Sequence, residues 1–186
     1  PGAAADGPAT GPADQVAVFE DEVQLDLNPK VGSAWMLQGH QAEVVTPGDN
    51  VRRHLAVSVL AGTGNLVVSG PAPRRNSAQF IAHLADLCRR LRHWKVIHVI
   101  CDNASFHKSE AVRVWVAKRR GRVVLHYLPS RAPEENPVER VFWRLHEAVT
   151  RNHRFGTIEE LVGAAVEWLE REGRAAPLAE RYSLAA

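Results

Sequence analysis

The chain has 186 residues, 45% of them hydrophobic and 24% charged, with a formal net charge of +2. That length suits one domain with a sizeable core. No run approaches the ~20 apolar residues of a membrane span, and no secretory signal pattern is present. The two cysteines, Cys88 and Cys101, sit inside apolar patterns and read as buried thiols of a cytoplasmic protein, neither a disulfide nor a metal cluster.

The opening residues, 1–14, are Gly, Ala, Pro and Asp without apolar pattern and read as a flexible linker, as if one domain had been excised from a longer protein. Gln15–Glu20 predicts a buried strand that ends in Glu20-Asp21-Glu22. Three adjacent acids there are either a polar turn or part of a site. Val23–Leu27 alternates apolar and polar residues, and 34–37 and 43–45 are further short strand candidates. Arg53–Leu60 and Asn65–Ser69 read as a hairpin turning at Gly62-Thr63-Gly64. Asn76 or Ser77 then caps a helix over about 77–93, with Phe80, Ile81, Leu84, Leu87, Cys88 and Leu91 as its apolar stripe.

The run Val96-Ile97-His98-Val99-Ile100-Cys101 has no polar alternation outside His98 and predicts a central parallel strand buried on both faces. Asp102 and Asn103 stand at its carboxyl end, where α/β sheets carry their chemistry. The plainer reading of Asp102 is a helix cap. Ser109–Arg120 predicts a second helix and Val123–Leu128 another strand. Asn136 as N-cap, Pro137 as N1 and Glu139 at N3 start a helix running to about Asn152. Thr157 and Glu160 form a second capping box for a helix to about Glu172, and residues 176–186 read as a loose tail. Trp35 and Trp143 read as packing residues. Arginines cluster at Arg74-Arg75, Arg89–Arg92 and Lys118–Arg122, which suits phosphate contacts, although each cluster alone reads better as a solvated helix face.

Taken together, Phe19-Glu20-Asp21-Glu22, Cys101-Asp102-Asn103-Ala104-Ser105-Phe106-His107, Leu128-Pro129-Ser130 and Asn136-Pro137-Val138-Glu139-Arg140 with Trp143 resemble the catalytic core of DDE transposases. The nearest branch is the bacterial insertion-sequence transposases of the mariner superfamily. The resemblance covers roughly residues 15–150. It implies an α/β, ribonuclease-H-like domain over 15–175, with a mixed five-stranded sheet (antiparallel meander plus parallel strands) flanked by helices. Carried over by position, it implies Asp21, Asp102 and Glu139 as catalytic and metal-binding acids, Asn103 and His107 as supporting residues, and two Mg2+ ions that Mn2+ can replace. Arg119, Arg120, Arg122 and Arg131 are expected DNA contacts.

The implied partners are double-stranded DNA, at transposon ends and target, and a second copy in the full-length protein, with no membrane. The implied location is the bacterial cytoplasm in association with the nucleoid. Departures are Ala132 where the pattern has Ser, Glu135 where it has an apolar residue, and a slightly long interval from Asp102 to Glu139. They make Glu134 and Glu135 rivals for the third acid, and the capping box is a rival role for Glu139. The family's helix-turn-helix reader of DNA has no counterpart in the chain. Another ribonuclease-H-like two-metal nuclease, or an inactive DNA-binding relic, are the alternative readings.

Overall fold

The computed structural model describes residues 14–33, 35–40, 43–129 and 136–173. Strand β1 spans Gln15–Asp26, β2 Arg52–Leu60 and β3 Leu66–Ala72. Helix α1, Ser77–Arg90, leads to β4, Val96–Cys101. A 3-10 turn at Ser105–Lys108 precedes α2, Glu110–Ala117, and β5, Val123–Tyr127. Helix α3, Val138–Leu145, runs into a π turn at His146–Thr150 and is followed by α4, Ile158–Gly173.

The strands form one mixed sheet in the order β3-β2-β1-β4-β5. β2 runs antiparallel to both its neighbours, while β1, β4 and β5 are parallel, as the hairpin and the helical crossovers require. The hairpin turns where Gly62 and Gly64 take φ of +87° and +72°, a region open to glycine at no steric cost. β4 lies inside the sheet, as its apolar run predicts, but only its Ile97, Val99 and Cys101 face is fully buried, with Val96, His98 and Ile100 half-buried, and β1 holds the middle position.

Period-two alternation divides the strand residues between two cores. Val23 and Leu25 of β1 and Leu55, Val57 and Val59 of β2 pack with α3 and α4 on one face. Val16 and Val18, with Ile97, Val99 and Cys101 of β4, pack with α1 and α2 on the other. The helix caps follow the sequence: Asn76 Oδ1 accepts from Gln79 N at 2.9 Å, and the Thr157–Glu160 box closes at 3.2 and 3.3 Å.

Several expectations are corrected. The first strand does not stop at Glu20; it continues to Asp26 because β2 pairs with it from Val18 to Asp26, so the acids lie within a strand. No strand forms at 35–37 or 43–45, although Ala34 lies outside the described residues. That stretch belongs to an excursion whose base closes through Leu27 N to Val51 O at 2.9 Å. Trp35 on it is fully exposed and Trp143 is 64% exposed, so neither packs in the core. The third helix is α-helical only over Val138–Leu145 and then widens into the π turn, where Arg151 N bonds back to His146 O at 2.8 Å. Among the described residues no helix is long and apolar enough to cross a membrane.

Candidate active site

The β1–β4 ladder ends with Phe19 opposite Ile100, so two residues further Asp21 and Asp102 stand level on neighbouring strand paths. Such paths run about 4.8 Å apart. Asp21 points to the α3 face, because alternation sends its neighbours Glu20 and Glu22 the other way.

Asn136 brings α3 to the same place. Its side chain is buried, donates to Glu20 O at 3.1 Å, and accepts from Val138 N at 3.2 Å. One amide therefore caps the helix and fastens its first turn to the strand that carries Asp21. Glu139 lies in that turn, exposed, and its side chain makes no capping bond to Asn136. The capping-box role is thus not taken up, and α3 begins through Asn136 alone.

Electrostatics shows the convergence. The Asp21 carboxyl is pushed up to about 7, first by burial and then by the charges of Glu22, Glu139 and Asp102, although its bond from Glu22 N at 2.7 Å pulls the other way. Among the described residues no Lys or Arg forms an ion pair with Asp21, Asp102 or Glu139. Neighbouring carboxylates that have no Lys or Arg ion pair among the described residues fit a hard divalent cation.

Asp102 lies just past β4 with its side chain 54% exposed. Its Oδ1 accepts from Ala104 N at 2.8 Å, the turn that a cap reading expects, and also faces His107 Nδ1 at 2.9 Å. His107 is fully buried between the rings of Phe80 and Phe106, each with its centroid 4.2 Å away. Its Nε2 meets Glu22 Oε1 at 3.3 Å. Burial depresses the His107 pKa, but the bond to Glu22 and the charges of Glu22 and Asp102 outweigh it and raise it. Glu20 is also fully buried, and neither of its oxygens has a hydrogen-bond partner. Burial, reinforced by Glu22, Asp21 and Asp102, pushes its carboxyl well above the usual range. Asn103 donates to Leu128 O and ties the end of β4 to the segment after β5.

The expected DNA contacts do not share this location. Arg119, Arg120 and Arg122 precede β5, so they stand at the opposite end of the sheet from Asp102, roughly 17 Å away along a five-residue strand. A parallel crossover returns the chain to the starting end of the sheet, which a linear reading of charge cannot register. Arg119 stacks on Trp115 at 4.3 Å, and Arg122 donates to Cys88 O and Leu91 O at 3.0 and 3.4 Å, closing the end of α1. Arg131, Glu134 and Glu135 lie outside the described residues.

Sequence reasoning missed Lys108, which rides over the Tyr127 ring at 4.8 Å beside His107, and Asn136 as a clamp on β1. The basic residue after the D-N-x-x-x-H stretch was a visible signal for the first. Nothing in the chain could reveal the second, because Glu20 O is 116 residues away.

The family model for DDE superfamily endonucleases matches residues 16–162. The chain belongs to that family. It is 37% identical over 158 residues to the insertion element IS630 uncharacterized 39 kDa protein of Shigella sonnei, covering 85% of this chain and 46% of that one. The chain thus spans about half the length of this relative. The Mos1 transposase paired-end complex with left transposon end superposes with a TM-score of 0.59 at 21% identity, over 85% of this chain and 50% of that one. A Mos1 transposase catalytic domain structure with Raltegravir and Mg gives 0.54 at 17% identity, over 90% of this chain and 80% of that one. These likenesses show the ribonuclease-H-like fold of this DDE endonuclease.

Proposed function

We propose that this DDE endonuclease domain is the catalytic domain of an insertion-sequence transposase, cutting DNA at the element's ends and joining the freed strand to target DNA. The observation that carries the reading is the convergence of Asp21, Asp102 and Glu139 on one sheet end, felt in the raised Asp21 carboxyl. Asp21, Asp102 and Glu139 would hold two Mg2+ ions, with Mn2+ able to substitute; Mos1 paired-end complexes with each metal support that choice. When bound, divalent ions neutralise charge on the attacking and leaving oxygens and acidify a water.

The chain's own groups do the placing. Asn136 holds α3 against β1 so that Glu139 stays beside Asp21, and a carboxylate on a helix is placed more rigidly than one on a loop. That rigidity favours Glu139 as the third acid. In the first step a water oxygen attacks the phosphorus at the element's end, and the 3′ oxygen leaves as a hydroxyl. In the second, that hydroxyl attacks a target phosphodiester in the same site, the target's own P–O3′ bond breaks, and its 3′ oxygen leaves as a hydroxyl. The paired-end state of the Mos1 complexes supports action as a homodimer of the full-length protein on duplex DNA.

The test is a plasmid assay with element-end duplexes, scoring cleavage and joining separately. Joined product with Mg2+ is expected from the wild type. Glu139→Gln should fold and bind DNA but neither cut nor join, while Glu135→Gln retains most cleavage. Cleavage without any joining would assign a plain nuclease, and the reverse pattern of the two variants would move the third acid to Glu135.

A further inference from the structure

We infer that Glu22 and His107 are positioning residues that lock the Asp102 carboxylate so that Oδ2 is its outward, metal-facing oxygen. The inference deepens the proposed function and rests on Asp102 being a metal ligand. Alternation in β1 puts Glu22 on the sheet face opposite Asp21, so Glu22 cannot share the carboxylate cluster directly. Its side chain is nevertheless only 2% exposed. A carboxylate buried so deeply requires a partner, and that partner is His107 Nε2 at 3.3 Å.

The ring's other nitrogen, Nδ1, lies 2.9 Å from Asp102 Oδ1. An imidazole tied at both nitrogens and flanked by Phe80 and Phe106 has no rotational freedom. Its backbone is held as well, since Tyr127 OH donates to His107 O at 3.3 Å, and Ser77 Oγ donates to Phe106 O at 3.0 Å. Oδ1 of Asp102 accepts from Ala104 N–H and lies 2.9 Å from His107 Nδ1, whose own hydrogen bond goes to the Asp102 backbone O at 3.4 Å, and this leaves Oδ2 as the available oxygen of a half-exposed side chain. The chain Glu22–His107–Asp102 fixes the carboxylate from behind, through the sheet. Partners of this kind tune metal affinity by about 10–100-fold without touching the ion. Glu20, 3.8 Å from Nε2, lies beyond hydrogen-bond reach and has no place in the chain of contacts.

The test is Mn2+ titration calorimetry on the purified protein, with Glu22→Asp, Glu22→Gln and Asp102→Asn. Glu22→Asp keeps the charge but withdraws it by one methylene, so Mn2+ affinity should fall about tenfold. Glu22→Gln keeps an amide that reaches Nε2 and should stay within about threefold of wild type. The Mg2+ concentration for half-maximal cleavage should rise with Glu22→Asp by the same factor, while the rate at saturating Mg2+ recovers; a merely structural defect would lower the saturated rate instead. Wild-type affinity in Glu22→Asp, or a loss in Glu22→Gln as large as in Glu22→Asp, overturns the positioning role. Asp102→Asn separates the two levels. If it binds Mn2+ as the wild type does, Asp102 is not a metal ligand and the underlying reading fails. If it loses binding while Glu22→Asp does not, only the role of Glu22 and His107 fails.

Discussion

Asp21 has the most consequential single environment. Its folded carboxyl is pushed up to about 7 from 3.8, so the folded state binds a proton that the unfolded chain releases. The sign follows: this group's favourable contribution is fully present below about pH 4 and is lost as pH rises through about 7. Metal-free protein should therefore show a melting temperature that falls across that window, by an amount equivalent to at most about 4 kcal/mol for this group. Asp21→Asn should flatten the fall and raise metal-free stability at pH 8, whereas added Mg2+ should stabilise the wild type but not the variant. A wild-type melting curve insensitive to pH from 4 to 8 would contradict the raised carboxyl. His83 is a contrasting case: fully buried, it sits between Ser58 Oγ and Ser69 Oγ, each at 2.7 Å, and is pushed down to about 4. A neutral ring there serves the core, with no route to the site.

At the level of elements, α3 is the piece whose placement matters most. Besides the apolar packing of Val138, Val141, Phe142 and Leu145, its polar tie to β1 passes through one buried amide, Asn136, which bonds to Glu20 O and to the helix's own Val138 N. Asn136→Ala leaves Glu20 O and Val138 N unpaired and should cost about 1–3 kcal/mol by denaturant unfolding. Cleavage should fall far more than that stability loss explains, since Glu139 then loses its registration with Asp21. Thr157→Ala is the control: it removes an ordinary helix cap from α4, away from the carboxylates. It should cost about 1 kcal/mol and leave the cleavage rate of the folded protein unchanged. Equal activity losses from the two variants would mean that α3 is not specially held.

At the scale of the molecule, basic residues stand at both ends of the sheet. Lys108 and Arg140 neighbour the site, while Arg119 and Arg120 lie a strand length away. The domain should bind duplex DNA with steep salt dependence and similar affinity for element-end and random sequences. Lys108→Glu with Arg140→Glu should weaken binding about tenfold or more and reduce the salt slope by roughly two; Arg119→Glu with Arg120→Glu should do less. Fluorescence anisotropy across a salt series reads both quantities. A larger effect from the distant pair would place the DNA across the α2–β5 end. A strong preference for one sequence would reveal a reader within the domain.

The sequence by itself determined the strands that are apolar throughout, the helix caps and the family. Each of these is a local property: a β-branched run forms an inner strand, Thr157 and Glu160 sit within one turn, and Asp102-Asn103 with Asn136-Pro137-Val138-Glu139 are contiguous signatures. It could not fix where β1 ends, because pairing with β2 carries that strand past three acids whose local character says turn. Nor could it show that Arg119–Arg122 stand opposite the carboxylates, that Trp35 is bare, or that Glu22 reaches Asp102 through His107, a partner 85 residues on. Those facts follow from which faces and strand ends meet, and only the tertiary structure decides that, because contacts between distant residues leave no periodic trace in the chain.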